Sequence, residues 1–177
     1  MRTTRLLLPC ALIFLSVHGL AKQPQDPCKL PEQKQLNFWV GDWDLTWQGK
    51  DANEIRHGSN SIRRILGDCV VEENFASQTP PVLIGKSVSL FDTASGKWKQ
   101  TWVDNEGGYL DFTGEFKDGQ MIFWREFTDS KGAKIQQRMV FKNIAVNDFD
   151  WSWESSEDSG KAWKVIWLIH YQRKSVR

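Results

Sequence analysis

The fold of this chain is indicated most clearly by residues 36–47, whose sequence is LNFWVGDWDLTW. Side chains alternate between the two faces of an extended strand. One face of this segment would carry Trp39, Gly41, Trp43, Leu45 and Trp47. The other would carry Val40, Asp42, Asp44 and Thr46. Three indoles on a single face require an enclosed apolar interior. A small β-barrel provides such an interior and can hold one small ligand there.

The first 21 residues have the pattern of a secretory signal peptide. Arg2 and Arg5 precede an apolar run over residues 6–17, and small residues at 19 and 21 mark a cleavage site. The run is too short to anchor the chain in a membrane, and no later apolar run is long enough to span one. A buried helix is the alternative interpretation. We expect an exported protein, periplasmic or extracellular, without stable membrane insertion, and one domain over residues 22–177.

The charge balance does not indicate a nucleic-acid partner. Loss of Arg2 and Arg5 would reduce the basic residues from 23 to 21 against 22 acidic residues, a net charge of −1. A near-neutral chain with mixed charges lacks the basic surface that nucleic acid or an anionic membrane attracts. The oligomeric state is left open by the sequence.

Two cysteines, Cys28 and Cys69, would remain after cleavage. In an exported protein an isolated pair predicts a disulfide, which here would join the N-terminal arm to a strand. On the chain-entropy model, a bridge closing about 40 residues contributes roughly 4 kcal/mol. Two unrelated thiols are the alternative. A metal site that includes His57 is not expected, because the spacing matches no zinc pattern.

The rest of the chain predicts strands and turns. Residues 30–36 have the pattern of a short helical turn that begins near a proline. Turns rich in Gly and Asp then separate short segments without a long helical period. This spacing favours a meander, sandwich or barrel, and we expect an all-β, single antiparallel up-and-down barrel of about 8–10 strands. After the first strand, the predicted strands are 59–66, 69–76, 82–91, 97–104, 109–116, 120–127, 134–141, 148–154 and 163–174.

The last predicted strand indicates how the barrel closes. Its aromatic face would carry Trp163, Val165, Trp167, Ile169, Tyr171 and Arg173. If that face points inward, Arg173 lies at one end of the barrel, where it can stack on Trp43 through a cation–π contact. The ten tryptophans of the chain recur at even spacing within strands. They predict either a core rich in tryptophan or a cavity lined by several indoles.

Several motifs along the chain together resemble a known fold family. They are the Gly41-x-Trp43 motif after Cys28, residues 65–69, Glu72-Glu73, Gly85 with Ser87, Phe91-Asp92, residues 96–104, and Tyr171 with Arg173. The chain resembles the lipocalin and calycin superfamily. More closely, it is similar to a family of bacterial secreted proteins known only as a domain of unknown function with a lipocalin-like barrel. The resemblance implies that fold and a disulfide but no established activity. The chain departs from true lipocalins because no long helix follows the barrel.

Polar residues on the predicted inner faces are candidates for ligand contact. Binding cavities combine apolar walls with a few convergent polar groups. The candidate ligand-binding residues are Trp43, Asn60, Glu73, Ser87, Trp98, Gln100, Trp102, Asp104 and Arg125. The alternative is a satisfied structural network in which Arg125 neutralises Glu73 or Asp104.

Signals for an enzyme are weak. No nucleophile elbow, phosphate loop, dinucleotide fingerprint or His-Glu-x-x-His motif is present. We expect His57 in a solvated loop. A haem ligand at His170 is not expected, because His170 and Arg173 fall on opposite faces of one strand. No cofactor, metal site or catalytic residue is assigned.

The sequence thus favours an exported protein that binds a small, partly apolar ligand without catalysis. The first alternative is an enzyme with a buried carboxylate, Glu73 or Asp104, as its acid or base. The second is a structural or protein-interaction barrel filled by its own tryptophans. A cavity would favour binding or catalysis, a carboxylate without an arginine partner would favour the enzyme, and a solid core would favour the structural role.

Overall fold

The computed structural model of the protein describes residues 26–51 and 53–175. The expected signal peptide, residues 1–21, lies outside the described residues. Within them, no helix has the length and apolar character needed to cross a membrane. Two short 3-10 helices, Pro27–Lys29 and Pro31–Leu36, come before the strands. The strands are β1 Gly41–Gln48, β2 Ile55–Ile65, β3 Val70–Ser77, β4 Ile84–Asp92, β5 Lys97–Asp104, β6 Tyr109–Lys117, β7 Gln120–Thr128, β8 Lys134–Lys142, β9 Asp148–Ser156 and β10 Lys164–Arg173.

The ten strands form one closed antiparallel barrel. Each strand pairs with the next in sequence, and β1 pairs with β10 to complete the circle. This confirms the predicted all-β, up-and-down barrel with a short N-terminal helical segment. Along most of the strands, alternate side chains point into an apolar interior and out to a more polar exterior. In β1, for example, Trp43 and Leu45 are fully buried while Asp42 and Asp44 are exposed.

The second strand is longer than its sequence suggests. It begins at Ile55 rather than at residue 59, so His57 lies in β2 and not in a loop as expected. Because Arg56 and His57 are polar, the sequence of this part of the strand lacks the apolar alternation that indicates a strand. Gly58 is needed here because a Cβ atom would come within 3.1 Å of the Trp47 ring. The strand therefore runs under an indole that a larger residue would displace.

The N-terminal segment covers one end of the barrel, which we call the capped end. Trp39 lies in the turn between the second 3-10 helix and β1, so the expected strand position of Trp39 is wrong. Its ring is buried with its centroid 5.1 Å from that of Phe141. The Trp43 indole N–H donates to the Trp39 carbonyl over 2.8 Å. This short turn places the Trp39 side chain inside the capped end of the barrel.

The predicted disulfide holds this cap in place. Cys28 belongs to the first 3-10 helix, and Cys69 ends the turn between β2 and β3. Their bond joins the N-terminal segment to the rim of the capped end. Arg64 of β2 adds a second link, since its guanidinium donates to the Gln33 carbonyl and, over 2.8 Å, to the Asn37 side chain.

Arg173 and Trp43 close the barrel as predicted. The two residues are register partners between β10 and β1, and the guanidinium carbon lies 4.1 Å from the centroid of the indole. Two guanidinium nitrogens donate to the carbonyls of Phe38 and Val40, over 3.0 and 2.9 Å. The arginine thus joins the last strand to the chain just before the first.

The aromatic face predicted for the last strand is interrupted. Pairing of β10 with β9 shifts between Val165 and Trp167, which indicates a β-bulge. A bulge adds one residue and reverses the facing of the residues before it. Val165 is consequently 50% exposed. Trp163 precedes β10 and stacks on the Arg138 guanidinium at 4.0 Å, so neither residue belongs to the inner face as expected.

Candidate ligand-binding cavity

The barrel encloses a cavity of about 230 Å³ above the rings of the capped end. Aromatic side chains form most of its wall, and the largest are Trp39, Phe75, Trp102, Phe112, Trp151, Trp153 and Trp167. A dry apolar cavity of roughly 150 Å³ suffices for benzene, whereas pockets for drug-sized ligands begin near about 300 Å³. The volume therefore suits a ligand of one or two small rings or a short chain.

Two glycines of the barrel leave space for neighbouring aromatic rings. Gly85 of β4 faces Trp102 of β5, and a side chain at position 85 would clash with the indole. The ring occupies the space that a side chain at position 85 would need. Gly114 of β6 leaves the same kind of space for Phe123. The Trp102 ring therefore packs against the barrel wall at Gly85, beside the cavity that it lines.

One buried carboxyl, that of Glu73 on β3, contributes to the cavity wall. Asn60 Nδ2 donates to one of its oxygens over 2.6 Å, and Ser87 Oγ to the other over 2.6 Å. Burial raises the pKa of Glu73, although both hydrogen bonds act to lower it. Within the described residues no lysine or arginine forms an ion pair with it. A buried carboxyl without a cation favours its neutral form, which can donate a proton in a hydrogen bond.

A chain of polar side chains extends from this carboxyl in both directions. Gln100 Nε2 donates to Ser87 Oγ over 3.2 Å and to Ser89 Oγ over 3.0 Å. On the other side Asn60 Nδ2 also lies 3.2 Å from the Tyr171 hydroxyl. Burial raises the pKa of Tyr171 well above its ordinary value, and the nearby Glu73 adds to this shift. These contacts fix the orientation of the polar part of the wall.

Two buried polar atoms have no hydrogen-bond partner within the described residues. They are the indole nitrogen of Trp39 and the Oδ1 atom of Asn60. Leaving such an atom unpaired costs about 1–3 kcal/mol. Trp39 lines the cavity, and Asn60 binds the carboxyl at its edge. The region therefore has one donor, the Trp39 indole N–H, and one acceptor, Asn60 Oδ1, that no side chain of the described residues satisfies.

Three of the nine predicted ligand-binding residues line the cavity: Glu73, Gln100 and Trp102. Asn60 and Ser87 lie directly behind them as the partners of Glu73. The structure therefore brings these five together, as the alternation of faces along β2, β3, β4 and β5 suggested.

The other four predicted residues lie elsewhere. Trp43 and Trp98 are buried at the capped end, where the Trp98 indole donates to Gln35 Oε1 over 2.9 Å. Asp104 lies at the opposite rim, and its carboxylate accepts from the Trp102 indole and from two amides of the β5–β6 turn. The Trp102 hydrogen bond is the main cause that lowers the pKa of Asp104. Asp104 therefore caps a turn.

Arg125, the fourth, lies beside an incomplete seam in the barrel wall. Pairing of β6 with β7 extends only from Lys117–Gln120 to Thr113–Trp124. Residues 109–112 and 125–128 are not paired across this seam, and a groove of about 430 Å³ opens there. Arg125 lines the groove and forms no ion pair with Glu73 or Asp104. The seam between β1 and β10 is also short, but Trp47 and Trp167 fill it with ring centroids 5.4 Å apart.

Sequence reasoning left out several cavity residues. Most of the wall is formed by aromatic and apolar side chains that are absent from the nine candidates, including Phe75, Leu110, Phe112, Met139, Trp151, Trp153 and Trp167; the last three belong to the indoles that predict either a core or a cavity wall. The even spacing of Trp151 and Trp153 was the available signal, because it places both on the inner face of β9. Which inner residues border empty space depends on packing across the barrel. Period-2 patterns do not contain that information.

The two histidines of the described residues lie on the exterior of the barrel. His57 is an exposed residue of β2. His170 lies on the outer face of β10, as the parity argument predicts, and its Nδ1 atom is 2.9 Å from Asp150 Oδ1.

Comparison with known protein families and with curated proteins finds no match for this chain.

Proposed function

We propose that this protein is an exported, lipocalin-like barrel that binds a small, predominantly apolar ligand in its central cavity. The observation that carries the proposal is an aromatic-walled space of about 230 Å³ with one buried, cation-free carboxyl at its edge. Such a composition matches small-molecule sites, in which apolar walls supply affinity and a few polar groups set orientation. The open volume favours this role over a barrel filled by its own side chains.

The polar edge of the cavity sets which ligands fit best. A neutral Glu73 donates one hydrogen bond, and Gln100 beside it supplies an amide. A ligand that carries a carbonyl, amide or hydroxyl group can bond to these atoms while its apolar part contacts indoles. Export of the chain rests on its first 21 residues and on the Cys28–Cys69 disulfide, a bond typical of oxidising compartments.

Equilibrium dialysis with 2-naphthamide, a neutral two-ring probe, tests the cavity. The wild-type chain should bind one equivalent. Leu110→Trp fills the cavity from β6 and should abolish binding. Val103→Trp adds the same ring on the outer face of neighbouring β5 and should leave binding unchanged. Equal loss in both variants, or no binding by any of them, would contradict a ligand site in the barrel.

The cation-free state of Glu73 also favours the enzyme alternative. A carboxyl with a raised pKa holds its proton to higher pH and can serve as a general acid. Native mass spectrometry of wild-type and Glu73→Gln protein, each recovered from the same host compartment, separates the two roles. A simple binding protein carries the same compound in both. An enzyme carries a converted compound in the wild type and an unconverted one in the variant.

A further inference from the structure

We infer that the ligand of this cavity carries an anionic group of the carboxylate kind, which Arg125 binds in the opening between β6 and β7. This inference deepens the proposed function and rests on it.

The opening reaches from the exterior to the cavity wall. The groove along the unpaired halves of β6 and β7 is lined in part by Gln100 and Phe112, and these two residues also line the cavity. Phe112 packs against Trp153 on the cavity side, with ring centroids 5.6 Å apart. A ligand could therefore place its apolar part among the indoles and its polar end in the groove, since Phe112 and Gln100 belong to the walls of both spaces.

Arg125 is well placed to receive that polar end. It shares the inner face of β7 with the buried Phe123, and its guanidinium carbon lies 4.7 Å from the centroid of the Phe127 ring. No ion pair or side-chain hydrogen bond to Arg125 occurs within residues 26–51 and 53–175. Desolvation lowers the pKa of this arginine, and the nearby charge of Asp111 provides only partial compensation. An anionic group would complete that compensation through a bidentate contact.

The other charges of the groove do not occupy this position. Asp111 and Glu126 lie on the outer faces of β6 and β7, where they accept hydrogen bonds from Thr101 and Gln136 over 2.8 and 3.1 Å. Asp111 acts on Arg125 only as a nearby negative charge. The outer-facing Lys99 donates to Thr113 over 2.8 Å.

Within the described residues, Glu73 is the one acidic side chain of the cavity wall. Its raised pKa favours the neutral form. A ligand inside the barrel therefore meets one cationic side chain at the opening and a proton-donating acid deeper in. This arrangement should favour an apolar anion over a neutral ligand of the same shape, and over a cation.

Two probes of nearly identical shape test the inference, 2-naphthoate and 2-naphthamide, measured by equilibrium dialysis at pH 7 with full-length mature protein. The wild type should bind the carboxylate roughly ten- to a hundredfold more tightly than the amide. Arg125→Gln should remove that preference and leave the amide affinity within about twofold of wild type. Arg125→Lys should retain part of the preference. Lys86→Gln removes one exposed positive charge from β4 and should change neither affinity.

Each result has a distinct meaning. A preference for the carboxylate that survives in Arg125→Gln would overturn the inference while leaving the cavity a binding site. Equal wild-type affinity for the two probes would do the same. Binding of neither probe would overturn the proposed function together with this inference. Unfolding midpoints show that each variant is folded, and we expect them close to wild type because Arg125 forms no ion pair or side-chain hydrogen bond within the described residues.

Discussion

Gly41 and Arg173 face each other across the seam between the first and last strands, and the guanidinium occupies the space that a side chain at position 41 would need. Gly41 also has a φ angle of +139°, which L-residues rarely adopt. The Gly41-x-Trp43 motif therefore has a physical explanation. The glycine admits the arginine, and the tryptophan two residues later stacks on it.

Gly41→Ala should lower the free energy of unfolding by about 3 kcal/mol, because it combines backbone strain with a clash against Arg173. Urea unfolding followed by circular dichroism gives the value. Gly96→Ala is the matched control, since its φ is +64° but no atom lies near its Cβ position. The control should cost only about 1 kcal/mol. Equal costs for the two variants would show that the contact with Arg173 is unimportant.

Arg173→Ala should destabilise the barrel by about 2–3 kcal/mol. The substitution removes the stacking on Trp43 and leaves carbonyls of Phe38 and Val40 without their donors. Lys174→Ala breaks only an exposed pair with Asp44 and should cost less than about 0.5 kcal/mol. An unchanged urea midpoint in Arg173→Ala would remove the residue from any role in closure.

The buried carboxyl makes stability depend on pH in a defined direction. Because the folded pKa of Glu73 is raised, the native state holds its proton at a pH where the unfolded chain has released it. The contribution of protonated Glu73 to the free energy of unfolding is therefore complete below the pKa of the unfolded chain, about 4.3. It is lost as the pH rises through the pKa of the folded protein.

Glu73→Gln should remove this dependence. The difference in unfolding free energy between wild type and Glu73→Gln should shift in favour of the variant as the pH is raised from about 4 to 8. Glu72→Gln, on the opposite face of β3, controls for the loss of one charge. A difference that stays constant over this range would mean that Glu73 titrates normally.

Reduction of the Cys28–Cys69 disulfide should destabilise the protein by up to about 4 kcal/mol, since the bond closes a loop with a sequence separation of 41 residues. Urea unfolding with and without reductant measures the change. Alkylation and mass analysis of the oxidised protein should show no reactive thiol at either position. Two alkylated cysteines in folded, oxidised protein would disprove the bond.

The alternation of residues along strands was enough to predict much of this architecture. In β5, the alternation correctly places Trp98 and Gln100 inside the barrel and Lys99 outside. Period-2 patterning predicts this because it follows directly from burial. The errors arose where the chain leaves regular geometry. Trp39 lies in a turn, and the bulge in β10 reverses Val165. The cavity wall was predicted only in part, because empty space results from packing between strands far apart in sequence.

The incomplete seam between β6 and β7 gives a closed barrel two short free edges. Backbone N–H and C=O groups of residues 109–112 and 125–128 that point across the gap have no partner strand there. Complete closure is what normally protects a barrel from exposing such edges. Amide protons along this seam should exchange with solvent without global unfolding. Local opening at this wall would break no strand pairing elsewhere in the barrel, so access to the interior there would not require unfolding of the whole domain.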